Sequence, residues 1–158
     1  MARSSYLLGI RQTAIFVVGL CATTCVTSAQ QKAPDQNIIV VKITGLRSDK
    51  GQVICALFSS AADFPKNMDK AVAGTKSQVS GRQATCQFTG IAPGTYAVSV
   101  IHDENSNGKL DTSFLGIPKE GVGSSNNVRP HLGPPKFAAA AFSYTGGRLE
   151  LNITVIYL

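Results

Sequence analysis

Runs of basic residues interleaved with aromatics are missing from this 158-residue chain, and with them the usual signature of a nucleic-acid groove. Cysteine is scarce. Of four, Cys21 and Cys25 fall within the first thirty residues, which leaves Cys55 and Cys86 with no partners at recognisable ligand spacing and argues against a zinc site. No Gly-x-Ser-x-Gly elbow surrounds a serine, and strands do not alternate with helices, so neither a nucleophile elbow nor a βαβ architecture is supported. Internal repeats and low-complexity linkers are absent too. The length suits one domain with a real core.

What is present begins with a leader. Arg3 and Arg11 precede an apolar stretch from Thr13 to about Ala22, and Thr27-Ser28-Ala29 offers the small residues that a signal peptidase reads. Residues 1–29 are therefore expected to be a secretory signal, 30–37 a polar lead, and 38–158 one domain, periplasmic or secreted. A retained anchor is the alternative, because the uncharged run from Gln12 to Gln31 is nearly span length. Its Thr, Ser and Cys content disfavours insertion. Neither Cys21 nor Cys25 follows the Leu-x-small pattern of a lipoprotein signal. After cleavage, thirteen Lys and Arg face nine Asp and Glu, a dispersed net charge of +4. A monomer with no nucleic-acid partner and no membrane span in the mature chain is expected.

Period-two alternation dominates the domain. Ile39, Val41 and Ile43 mark one strand, Ser48-Asp49-Lys50-Gly51 a turn, and residues 52–58 a second strand that reads as its hairpin partner. Strands are also predicted over 75–79, 83–88 and 95–101, the last apolar on both faces except at Ser99 and therefore central. The cleanest alternation, Leu149, Leu151, Ile153, Val155 and Tyr157, predicts a final strand. Residues 59–74 lose the period and predict a helical turn or two interrupted at Pro65. Residues 137–144 suit helix or strand, and 114–136 show neither period and predict a long loop. About seven strands, one short helical excursion and one long loop define an all-β, antiparallel β-sandwich. Val53, Cys55 and Leu57 share one face, and Ala84, Cys86 and Phe88 another. If both faces meet in one core, an oxidising compartment favours a Cys55–Cys86 disulfide, worth roughly 3 to 4 kcal/mol for a loop of about 30 residues.

The chemically densest run follows the central strand. Asp103, Asn105 and Asn107 alternate with spacers, Gly108 follows at once, and Asp111 lies three residues on, matching the first nine positions of a calcium loop. Side-chain oxygens of Asp103, Asn105, Asn107 and Asp111, with the Lys109 carbonyl, are the expected ligands. The twelfth position holds Phe114 instead of a bidentate Glu, and no amphipathic helices flank the run, so an EF-hand is rejected. Glu104 or Glu120 would supply the missing carboxylate only if the fold returns it. Two carboxylates imply weak affinity, on the order of 10⁻⁴ to 10⁻³ M. The alternative is a turn in which Asn and Asp side chains bond their own backbone.

For catalysis the candidates are His102, Asp103, Glu104, Lys119, Glu120 and His131, with Glu120 or Asp103 acting with His102 in a small envelope hydrolase. Sequence neighbours do not make a triad, and a non-enzymatic reading is preferred. His102 more simply orients the loop through a ring hydrogen bond.

Pro93-Gly94-Thr95-Tyr96-Ala97, the His102-to-Asp111 run, Gly116-Ile117-Pro118-Lys119-Glu120-Gly121, Ser125-Asn126-Asn127 and Gly133-Pro134-Pro135-x-Phe137 follow one another in order. This ordered set resembles a secreted bacterial family catalogued as domain of unknown function 2141, over roughly residues 38–158. The resemblance implies a transthyretin-like or carboxypeptidase-regulatory-like sandwich exported to the envelope, with no established activity. Val122 and Ser124 stand where the family pattern leads us to expect bulkier aromatics, and 128–132 looks expanded. Gly116, Pro118, Lys119, Glu120, Ser125, Asn126 and Asn127 form a stretch rich in amides and backbone donors. It suits an envelope protein or a carbohydrate, and equally a self-satisfied loop. The expected function is a binding or accessory module with a structural calcium, the alternatives being the hydrolase or a purely structural envelope protein.

Overall fold

The computed structural model describes residues 37–129 and 133–158. The expected signal at 1–29, the polar lead up to residue 36 and the candidate His131 lie outside the described residues. No helix among the described residues is long and apolar enough to cross a membrane.

Eight strands form two sheets: β1 (Ile38–Thr44), β2 (Gln52–Phe58), β3 (Ala73–Gln78), β4 (Ala84–Thr89), β5 (Gly94–Asp103), β6 (Gly121–Ser124), β7 (Phe142–Tyr144) and β8 (Arg148–Thr154). One sheet has the order β4-β1-β8. The other runs β3-β2-β5-β6, with β7 paired to the start of β5. Alternation explains the sandwich between them. Ile39, Val41 and Ile43 of β1, Val53 and Leu57 of β2, Val98 and Val100 of β5, and Ile153 of β8 turn inward and are buried. Each contributes about 1.5–3 kcal/mol by leaving water. Cys55 of β2 and Cys86 of β4 are bonded to each other, joining the two sheets across the core.

Three expectations are corrected. β1 and β2 do not form a hairpin: β1 pairs β4 and β8, whereas β2 pairs β3 and β5. The link at 45–51 instead carries the chain between sheets and plugs Leu46 into the core. The pairing of β1 with β8 is parallel, so the sandwich is not wholly antiparallel. The stretch 137–144, which suits helix or strand in sequence, is each in turn, α1 (Phe137–Ala140) and then β7, and needs no correction. Finally, the long loop contains β6 and a 3-10 turn at Ser125–Asn127.

β6 escapes a hydropathy pattern because its inward positions are glycines. A Cβ on Gly121 would lie 2.5 Å from Val155 Cγ1, and one on Gly123 would lie 2.9 Å from Ile153 Cγ2. The tail of the last strand passes there. Val122 and Ile156 exchange two backbone hydrogen bonds of 2.9 Å, tying that tail to the second sheet.

A second, smaller core lies on the outer face of the five-stranded sheet. Ala56, Phe58 and Ala97 are covered there by Phe64 and Ala140, with Met68, Val128 and Phe137 packed alongside. Phe64 stands edge-on to Phe58 and to Phe137, with centroids 5.6 and 5.9 Å apart. The cover stops short of the β5–β6 end.

Candidate functional site

The last residues of β5 send alternate side chains to opposite faces, His102 inward and Asp103 outward, and both are 0% exposed. Asp103 organises the acidic loop. Its Oδ1 accepts from the Asn107 N–H at 3.0 Å, and its Oδ2 from the Gly108 N–H at 2.9 Å and from Gln52 Nε2 at 2.7 Å. Burial pushes its carboxyl pKa up, but the bonds from Gln52, Gly108 and Asn107 outweigh that and hold it below the usual range. Asn105 Oδ1 then accepts from Asn107 N–H, and Asn107 Oδ1 from Lys109 N–H. Their amide groups donate to Asp111, at 2.7 Å to Oδ2 and 3.1 Å to Oδ1. The result is a run of Asx turns converging on Asp111.

Glu120, 5% exposed, closes the loop. Its Oε1 accepts from the Glu104 N–H and its Oε2 from the Asp111 N–H, each at 2.9 Å, so one carboxylate clamps both ends. Glu104 points elsewhere, bonded in bidentate fashion by Arg47 and by Ser48 Oγ. The Arg47 hydrogen bond is the main cause of its depressed pKa. Arg47 also lies 4.4 Å over the Tyr157 ring. Burial is the main cause of the raised Tyr157 pKa.

His102 joins a relay. Its Nε2 sits 2.9 Å from the Lys50 carbonyl, which only accepts, so Nε2 carries the hydrogen. Nδ1 then accepts from the Tyr157 hydroxyl at 2.6 Å, and that hydroxyl accepts from the Arg47 N–H at 2.9 Å. Gly51 makes the approach to Lys50 feasible: its φ is +70°, and a Cβ there would fall 2.0 Å from the Asp103 carbonyl.

The oxygens suit calcium in type and only partly in number. Asp103 Oδ2 already accepts two bonds, whereas Asp103 Oδ1, Asn105 Oδ1, Asn107 Oδ1 and both Asp111 oxygens accept one each and retain a lone-pair position. Calcium takes six to eight oxygens. Glu104 and Glu120, the further ligands considered from sequence, are engaged by Arg47 and Ser48 and by the loop backbone. Among the described residues, no three His, Cys, Asp or Glu side chains converge as a metal cluster.

Beside the loop, a groove of about 1290 Å³ runs over the uncovered end of the five-stranded sheet. Ser99, Ile101, Val122 and Ser124 line it from β5 and β6, and the loop contributes Lys109, Leu110 and Thr112. Met68, Val128 and Ile156 line it from other segments. A turn at its edge, fixed by Ser113 N–H to the Ile117 carbonyl at 2.8 Å and Gly116 N–H to the Ser113 carbonyl at 2.9 Å, leaves Leu115 68% and Phe114 96% exposed.

The residues singled out between 116 and 127 divide. Gly116, Pro118 and Asn127 line the groove. Lys119 is exposed and gives its backbone to Asp111 and Arg47. Ser125 is buried, accepting from Val98 N–H and donating to the Ala140 carbonyl, while Asn126 donates to the carbonyls of Ala139 and Ala141. Asn127 holds the backbone of Asn152 and Thr154. Arg47, Tyr157 and the groove itself were not anticipated. The signal for the groove was in plain view: Phe114, Leu115 and Ile117 are large apolar residues in an otherwise polar stretch. Val122 and Ser124 both line it.

Two sheets around one disulfide-bridged core, with a clamped loop and a groove at one end, define an all-β sandwich. Its family is equally plain: residues 41–152 match the model described as "Uncharacterized protein conserved in bacteria (DUF2141)", and the chain belongs to that family. No curated protein and no solved structure matches it.

Proposed function

We propose that the protein is an exported, non-catalytic binding or accessory module whose ligand face is the groove walled by the acidic loop, with calcium as that loop's structural ion. The groove carries this reading, because it opens where the outer face of the sheet loses its cover. The hydrolase alternative finds less support. His102 and Asp103 lie on opposite faces of β5, and the oxygens of Glu120 both accept backbone N–H groups. A purely structural role leaves the open groove without a purpose.

A neutral apolar fluorophore, N-phenyl-1-naphthylamine, is expected to bind once per chain. Val122→Phe, which fills the groove at a position where the family pattern favours an aromatic, is expected to weaken binding at least tenfold, about 1.4 kcal/mol, with the thermal midpoint little changed. Equal affinity in the variant would remove the groove as ligand face.

Calcium is tested separately by thermal unfolding. At 10 mM calcium and a Kd of about 10⁻³ M, stabilisation is about 1.4 kcal/mol, or a midpoint rise of roughly 3–6 °C over chelator. Asp111→Asn is expected to abolish the rise. No rise in the unaltered protein means that hydrogen bonds alone hold the loop.

A further inference from the structure

We propose that the groove takes a single-chain amphiphile with an anionic head group, of the aliphatic carboxylate or monoalkyl phosphate class; this rests on the groove being the ligand face. The apolar half of the argument is the lining. Ile101, Leu110, Leu115, Ile117, Val122 and Ile156 come together there from β5, the acidic loop, the exposed turn, β6 and the tail of the last strand. Leu115 and Ile117 stay 68% and 48% exposed, so the groove presents apolar surface that the described residues leave uncovered. An alkyl chain laid along it buries that surface, and each fully buried methylene tightens binding by roughly fourfold.

The head group follows from charge. Lys66, Lys109 and Arg129 line the same groove from three separate segments, against one acidic side chain, Asp69. Among the described residues none of these three cations is in an ion pair; the ion pairs there use Lys42, Arg47 and Arg148. Cations from three segments in a groove with a largely apolar lining favour a ligand with one negative end and one long apolar end, and they disfavour a cationic amphiphile with the same tail. A sugar is the poorer match, because two of the polar side chains lining the groove are engaged within the protein: Ser124 Oγ donates to the Val128 carbonyl, and Asn127 holds Asn152 and Thr154.

The test uses the full chain and displacement of N-phenyl-1-naphthylamine by dodecanoate, dodecyl phosphate, dodecyltrimethylammonium and dodecyl maltoside, each below its micelle-forming concentration. Dodecanoate and dodecyl phosphate are expected to bind about tenfold more tightly than the cationic and neutral amphiphiles. The triple variant K66Q/K109Q/R129Q, altered only at exposed positions, is expected to lose that preference while still binding dodecyl maltoside. Equal binding of all four overturns the anionic ligand and leaves the groove reading standing. Failure of all four, together with failure of the fluorophore to bind, overturns both. Binding to phosphatidylglycerol-containing vesicles without binding of the monomeric anions overturns the proposal in favour of a membrane surface.

Discussion

Glu120→Ala is expected to lower stability by about 2–4 kcal/mol and to unfasten the acidic loop. The figure follows from two backbone donors, Glu104 N–H and Asp111 N–H, that lose a charged acceptor in a largely buried place; hydrogen bonds to a charged group are worth about 1.5–3 kcal/mol each, and water recovers part of that. Glu120→Gln should recover about half, because its amide offers one oxygen where two are needed and turns an NH2 toward the other donor. Urea unfolding gives the energies. Amide exchange at Glu104 and Asp111 locates them, and unchanged protection at both sites in the alanine variant would show that the clamp is not what holds the loop. The consequence reaches the groove, since Lys109, Leu110 and Thr112 belong to the same loop and line it.

Removing the Cys55–Cys86 bridge, by Cys→Ala at both positions, is expected to cost roughly 3–4 kcal/mol. The separation of 31 residues sets that scale through the entropy returned to the unfolded chain. Position reinforces it, because the bridge links β2 in one sheet to β4 in the other, and two sheets held mainly by side-chain packing lose a covalent tie. Both sulfurs lie in the buried core, so each alanine also leaves a small void. Denaturant titration of the oxidised protein, the reduced protein and the double variant measures the effect. Equal midpoints for all three would contradict it.

The parts of the fold that were legible in the sequence are those governed by local alternation. Ile39 to Ile43 and Leu149 to Ile153 turn every second residue toward the space between the sheets, the run from Tyr96 to Ile101 is buried on both faces, and strands fall at all three, the last ending at Thr154. Pairing was not legible, because alternation marks a face and not a neighbour; β1 and β2 look like a hairpin until the buried Leu46 shows that the link crosses the core. β6 was hidden for a chemical reason. Its inward residues are glycines, so the positions that would have carried the pattern have no side chain.

The site divides in the same way. The spacing of Asp103, Asn105, Asn107, Gly108 and Asp111 foretold a loop curled around its own oxygens, and the Asx turns have that form. The role of Glu120 depended on a return of the chain nine residues after Asp111, which no local pattern encodes. Likewise, the arrangement of Arg47, Tyr157 and His102 draws on residues up to 110 apart in sequence.

The parallel pairing of β1 with β8 bears on how the domain is made. Its first and last strands are neighbours, so the three-stranded sheet cannot close until nearly the whole domain is available. Contacts this distant along the chain carry the largest loop-closure entropy and form late, which slows folding. For a chain exported in the unfolded state, such a delay keeps premature folding from blocking its passage.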